Sequence, residues 1–190
     1  MGVMYTSACL AMVHGYDIKD AQVSGLLHDC AKCIPNKKKL KMCSEHNIPV
    51  SDFERSHPFL LHSRLGAYIA HEKYGIDDQE ILSAINYHTT GRREMSLLEK
   101  IIYIADYIEP MRYKASRLPE IRKLAFEDLD ECMYEILKDT LEYLEEDSAD
   151  VLSQLPRRLI FIIKNCIISV ITYLIINTPH ILANIFTIYN

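Results

Sequence analysis

An all-α helical bundle is the fold class this sequence predicts, on three observations. Apolar residues recur at helical spacing along most of residues 1–147. The apolar runs are bounded by recognisable start and stop signals, such as Pro58, Asp77-Asp78, Ser96 with Glu99, Gly15 and Gly75. No alternating strand pattern of useful length interrupts them.

The elements follow in order. Tyr5 to Met12 supplies an apolar stripe that Gly15 stops, and Asp20 can cap a second helix on which Ala21, Val23, Leu26, Leu27 and Cys30 fall at helical spacing. Ile34-Pro35-Asn36 breaks the chain. A lysine run, Lys37, Lys38, Lys39 and Lys41, begins a short third helix and reads as a solvated face, with a phosphate-attracting patch as the alternative. His57-Pro58 opens a helix at its first-turn proline, with Leu61, Leu65, Tyr68 and Ile69 on one face and Gly75 at its end. Asp77 and Asp78 begin a helix through Ile81, Leu82 and Ile85 that ends near His88-Thr89-Thr90-Gly91. Ser96 and Glu99 form a capping box ahead of Leu97 to Ile108, which Glu109-Pro110 closes. An Arg-containing loop, Pro119 to Phe126, and an acidic helix from Leu129 to Glu146 complete the body.

Composition divides the chain. Its 190 residues suffice for one domain, or one domain with an appendage. All 26 acidic residues and 18 of the 21 basic ones precede Val151, so residues 1–150 carry −8 and residues 151–190 carry +3. The second segment has no Asp, Glu or Gly, and eleven of its forty residues are Ile. An acidic body argues against nonspecific nucleic-acid binding. The six cysteines form no even framework and no secretory signal precedes the body, which suits reduced thiols and a cytoplasmic location. A single Cys30-x-x-Cys33 without a second pair is weak support for zinc or redox work.

Function lies where ionisable groups break the apolar pattern. Four phrases do so: Leu26-Leu27-His28-Asp29-Cys30-Ala31, Phe59-Leu60-Leu61-His62-Ser63, Ala84-Ile85-Asn86-Tyr87-His88-Thr89, and Ile101 to Ile108 around Asp106. A buried, unpaired carboxylate costs several kcal/mol, so Asp29 and Asp106 need partners inside the fold. A lone helical histidine is more often a hydrogen-bonded structural residue than a ligand, and Asp106 alone could cap a turn or pair with Arg112. The set of four points to a metal shared between helices. Histidine nitrogen with carboxylate oxygen and no thiolate suits Fe, Mn, Co or Zn. Such an ion lowers the pKa of water from about 15.7 toward ~7, which makes hydrolysis of a phosphoric ester or anhydride the natural reaction class.

The order His-Asp, His, His, Asp resembles the HD-domain metal-dependent phosphohydrolases. The words Leu26-Leu27-His28-Asp29-Cys30-Ala31-Lys32, His62-Ser63-Arg64-Leu65-Gly66-Ala67, Tyr87-His88-Thr89-Thr90-Gly91 and Tyr103-Ile104-Ala105-Asp106-Tyr107-Ile108-Glu109-Pro110 are similar to one branch, the YqeK family of symmetrical bis(5'-nucleosyl)-tetraphosphatases. The resemblance spans residues 1–147 and implies an HD-domain helical bundle, here residues 1–150, with a metal site between helices. It implies iron held by His28, Asp29 and Asp106, with Mn, Co or Zn as alternatives. His62, His88, Thr89 and Arg112 would meet nucleotide phosphates, the two histidines being alternative ligands for a second metal. Asp29 and Lys32 would serve catalysis most directly. The implied substrate is diadenosine tetraphosphate, a dinucleoside polyphosphate, cut between its central phosphates to give two ADP. Independently of the family, Lys32 follows His28-Asp29 by one turn and could neutralise developing phosphate charge, or act as a helix C-terminal cation. Arg112 offers a bidentate fork.

Two departures temper that expectation. The family's first motif histidine stands just before a Gly-Val pair, which here is Gly2-Val3, so its position precedes residue 1; His14 is too far along the same helix to replace it. The expected nucleotide-touching segment after Glu146 is replaced by the Ile-rich stretch 151–190, echoed only by Thr178-Pro179-His180 and Tyr189. Leu159 to Ile176 admits three readings: a membrane anchor, a packed extension or homodimer element, or a shifted reading frame. The functional alternatives are an HD protein that binds nucleotide without turnover, and an HD phosphohydrolase acting on a mononucleotide.

Overall fold

α7 (Leu97–Ile108) is the hub of the bundle, and its sequence shows why. Leu98, Ile101, Ile102, Ile104, Ala105 and Ile108 are all buried, so the helix is covered on most of its circumference. Around it pack α1 (Gly2–His14), α2 (Ile18–Leu27), α6 (Gln79–Tyr87), α8 (Leu118–Ala125) and α9 (Leu129–Glu146). This architecture is that of a computed structural model, which describes residues 1–113, 115 and 117–146, with no strand among them. The readings made for residues 147–190, including the tail alternatives, lie outside the described residues.

The main core joins Leu10, Ile85, Ile101, Ile104, Met133 and Leu137 across these helices. Each fully buried Leu or Ile contributes about 1.5–3 kcal/mol by leaving water. A second, smaller core of Ala31, Cys43, Leu61 and Leu65 lies under α3 (Asn36–Glu45) and α5 (Leu61–Tyr74). Among the described residues no helix is long and apolar enough to cross a membrane.

Most expected boundaries hold. Gly15 and Gly75 end α1 and α5 in the left-handed conformation, at φ 72° and 67°. Both arms of the Ser96/Glu99 capping box are formed. Glu99 does more than cap: it is buried and also accepts bonds from Ser83 and Arg92, tying α6 and the loop after it to α7.

Several expectations are corrected. The stretch Tyr5 to Met12 does carry most of the buried face of α1, through Ser7, Ala8, Leu10 and Ala11 with Val3 before them, but Tyr5 and Met12 themselves are exposed. Small residues on that face allow close packing on α2: a Cβ at Gly25 would overlap Ser7 Oγ and crowd the Met4 backbone. The cap of α2 is Asp17, whose carboxylate accepts the Asp20 N–H, rather than Asp20 itself. α2 also stops at Leu27, and residues 28–34 continue as three-residue turns. A fourth helix, α4 (Asp52–Ser56), with its own Ser51/Glu54 capping box, is too short for apolar periodicity to reveal. Pro58–Leu60 is a 3₁₀ turn before α5. The lysine run is not wholly solvated, because Lys39 is buried.

Candidate metal centre

Three histidines enter the site by one local device. His28 follows the last turn of α2, His62 is the second residue of α5, and His88 follows the last turn of α6. In each, Nδ1 lies 2.7 Å from the backbone carbonyl three residues earlier, that of Gly25, Phe59 or Ile85. A carbonyl only accepts, so Nδ1 carries the proton and the lone pair of the neutral ring is at Nε2. Backbone hydrogen bonds thus fix the tautomer and aim of three potential ligands.

All three Nε2 atoms converge on Asp29. Its Oδ2 is 3.3 Å from His28, while its Oδ1 is 3.4 Å from His62 and 3.5 Å from His88. Asp106, in the last turn of α7, adds a carboxylate oxygen 3.7 Å from His28 Nε2. Thr89 Oγ1 lies 3.1 Å from Nε2 of both His62 and His88. The ligand atoms of His28, Asp29 and His88 fall within 4.8 Å of one another. Ligands at bonds of ~2.1 Å to one tetrahedral ion stand about 3.4 Å apart, so these spacings match a common ion.

The donor chemistry agrees. Asp29 Oδ1 is sealed from solvent without a hydrogen bond. It faces the His62 and His88 nitrogens, which are also acceptors in their fixed tautomers, and an acceptor-only cluster calls for a cation. Two cations already flank it: Lys32 Nζ is 2.6 Å from Asp29 Oδ2, and Arg112 Nη2 is 2.7 Å from Asp106 Oδ1 while its Nε reaches the Asp106 carbonyl. Burial opposes charging of His28, yet bonds to Asp106 and Asp29 raise its pKa to about 9. Burial also opposes ionisation of Asp106, but His28 and Arg112 lower its pKa to about 2. Burial opposes ionisation of Asp29 as well, yet His28 and Lys32 hold it well below the usual carboxylate range. Burial lowers the pKa of His62.

A cavity of about 500 Å³ opens beside the cluster. His88, Thr89, Asp106 and Arg112 form its polar side, and Tyr103, Tyr107, Met111 and Tyr113 its apolar and aromatic side. Tyr103, Asp106 and Tyr107 share one face of α7 by their i, i+3, i+4 spacing.

Residues 1–111 match the HD domain family. The chain is also 38% identical over 151 residues to the protein named symmetrical bis(5'-nucleosyl)-tetraphosphatase of Bacillus subtilis (strain 168), covering 80% of each. The chain belongs to the HD-domain family of symmetrical bis(5'-nucleosyl)-tetraphosphatases. A Staphylococcus aureus (strain NCTC 8325 / PS 47) protein of the same name is 37% identical over 144 residues, or 75% of this chain and 73% of that one. Among solved structures, a Clostridium acetobutylicum protein described as an HD superfamily hydrolase involved in NAD metabolism superposes with a TM-score of 0.81 at 36% identity, over 90% of this chain and 86% of that one.

In this tetraphosphatase-family chain every site residue expected from the sequence falls in one region. His28, Asp29, His62, His88 and Thr89 meet directly, Asp106 joins through His28, and Lys32 and Arg112 hold the two carboxylates. His14 is elsewhere, bonded to the Ala125 carbonyl. Cys30 bonds the Gly66 carbonyl and, like Cys33, is a free thiol. The aromatic wall was missed, although the Tyr103/Tyr107 pairing beside Asp106 was a readable signal.

Proposed function

We propose that this chain is a metal-dependent hydrolase that cuts diadenosine tetraphosphate between its central phosphates to give two ADP. The observation that carries the proposal is the convergence of the His28, His62 and His88 Nε2 atoms on the Asp29 carboxylate, one oxygen of which is sealed without a hydrogen bond, at the edge of an aromatic cavity. The names of the Bacillus and Staphylococcus relatives support the substrate class.

His28, Asp29 and Asp106 would hold one ion, with iron the best match and manganese, cobalt or zinc as alternatives. Asp29 turns its Oδ1 toward His62 and His88, which supports reading these two as ligands of a second ion or as phosphate contacts. When bound, the metal supplies Lewis acidity toward a phosphoryl oxygen and acidifies water. The remaining work belongs to the chain. Arg112 and Lys32 present N–H donors beside the two carboxylates and oppose charge that grows on the phosphate oxygens. Thr89 holds a hydroxyl at 3.1 Å from two imidazoles, ready to donate to a phosphoryl oxygen.

The cavity suits a nucleoside. Tyr103, Tyr107 and Tyr113 offer stacking surface for a base, worth about 1–3 kcal/mol per stacked base. Tyr113 and Met111 are strongly exposed at its rim, and a bound base would cover them. In the reaction water oxygen bonds to one central phosphorus, and the bridging oxygen leaves with the other ADP and gains a proton. Free thiols at Cys9, Cys30, Cys33, Cys43 and Cys132 suit a reducing, cytoplasmic setting for this chemistry. Chromatography of the products tests the proposal: ADP alone supports it, and ATP with AMP overturns the symmetrical cut.

A further inference from the structure

α7 stops at Ile108, and stopping leaves carbonyls at its end without their helical partners. The N–H that would bond the Asp106 carbonyl belongs to position 110, which is proline and has none. Arg112 takes its place. Its Nε donates to the Asp106 carbonyl at 2.9 Å, and its Nη2 to Oδ1 of the same residue at 2.7 Å. A second guanidinium serves the carbonyls that follow. Arg122 donates through Nε to the Ile108 carbonyl at 2.9 Å, and through Nη2 to the carbonyls of Glu109 at 3.1 Å and Arg112 at 2.9 Å.

Arg122 is well built to hold that turn. It projects from α8, which is anchored in the core through Leu118, Ile121 and Ala125. Among the described residues its hydrogen bonds go to backbone carbonyls alone, whereas Arg64, Arg92, Arg112 and Arg117 each reach a carboxylate. The turn it grips is tight: the Arg112 N–H bonds the Glu109 carbonyl, and the Met111 N–H bonds the Glu109 carboxylate. From this turn Met111, Arg112 and Tyr113 reach the cavity wall, of which Arg122 itself is no part. The backbone of Arg112 is thus fixed by Arg122 and its side chain by Asp106. An arginine on an unsupported turn would have to be ordered each time a phosphate bound, which costs affinity and aim.

We infer that Arg122 is a positioning residue, which by holding the Ile108, Glu109 and Arg112 carbonyls sets Arg112 and the rim residues Met111 and Tyr113 for the phosphate chain and its nucleoside. The inference rests on the phosphohydrolase reading above for the identity of the ligand.

The test is a double-mutant cycle in the full chain: parent, Arg112→Met, Arg122→Met and the double variant. It reads ADP affinity by calorimetric titration, kcat and KM for diadenosine tetraphosphate, and ligand-free Tm. Arg112→Met should weaken ADP binding at least about tenfold, the scale of one charge-assisted bond. Arg122→Met alone should weaken it about threefold or more, and the double variant should bind within about twofold of Arg112→Met, because nothing is left to position. The same pattern should hold in kcat/KM. Tm should fall on Arg122→Met in both backgrounds, since the Ile108 and Glu109 carbonyls lose their donor in each. Arg122→Lys, which keeps the charge without the fork, should lose less affinity and carries the same cycle where Arg122→Met does not fold.

Losses of ADP affinity that multiply in the double variant would show a general structural role and overturn the inference. Unchanged ADP affinity on replacing Arg122, or a parent protein that does not bind ADP, would overturn it as well. If the parent binds ADP but releases none from diadenosine tetraphosphate, while the ADP cycle is non-additive as expected, the hydrolase reading fails and the assignment of Arg122 stands.

Discussion

The Nε2 atoms of His62 and His88 stand 3.2 Å apart, each on a ring whose Nδ1 is already committed to a backbone carbonyl. Two neutral imidazoles so fixed present lone pairs to each other, with a sealed carboxylate oxygen of Asp29 at their side. The Thr89 hydroxyl has a single proton and can satisfy one of them. The fold therefore holds in place a cluster of acceptors that a cation would complete.

His28→Ala and Asp106→Ala should each lower turnover at least ~100-fold, the scale of losing electrostatic stabilisation of a transition state. Metal analysis of the purified variants should show a parallel loss of bound ion. Near-normal turnover in either would remove that residue from the metal set.

The metal-free protein should have a bell-shaped stability profile governed by this cluster. His28, raised to about 9, contributes stability in full below its unfolded pKa of about 6.5, and that contribution is lost as pH climbs through about 9. His62 is shifted downward, so it destabilises the fold progressively as pH falls below about 6.5. Asp106 and Asp29 add stability that is present above about 3.9 and lost on acidification toward their depressed pKa values. Calorimetry of chelator-treated protein should find Tm higher near pH 6.5 than at pH 5 or 9. Metal must displace the His28 proton, so apparent affinity should rise as pH increases toward about 9, which calorimetric titration in two buffers of different ionisation enthalpy would detect.

Gly25→Ala should couple packing to the site. A Cβ there meets Ser7 Oγ and Met4 backbone, so α1 and α2 must separate at a cost of about 1–3 kcal/mol. The Gly25 carbonyl also orients His28, and its displacement should weaken metal binding by ~10-fold or more. A thermal melt and a metal titration check the two effects together.

Glu99→Ala should cost ~2–4 kcal/mol, since one side chain caps α7, bonds Ser83 and neutralises Arg92. Chemical denaturation gives the number directly. A loss below 1 kcal/mol would mean that the three contacts are dispensable.

Much of this was legible in the chain before any coordinates. The capping box at Ser96 and Glu99 and the stops at Gly15 and Gly75 are local signals, decided within a turn of the residues that carry them. The histidines and aspartates were legible because polar groups inside apolar runs need partners. What escaped depends on tertiary contact. Within the apolar stretch Tyr5 to Met12, only the approach of α2 through Gly25 selects the face with Ser7 and Ala11 and leaves Tyr5 and Met12 outside. Lys39 is indistinguishable in sequence from Lys37 and Lys38, and only the packing of α3 against α5 and the Pro58–Leu60 turn sets it apart. The shared tautomer of three histidines likewise needs the turns that place each ring over its own backbone.

The most direct test of the central claim is turnover of diadenosine tetraphosphate by chelator-stripped protein titrated with ferrous or manganous ion, with bound metal quantified at each step. Negligible ADP release without metal, rising in proportion to bound ion until the site is full, is the predicted result. Full activity in protein shown to contain no metal would contradict it.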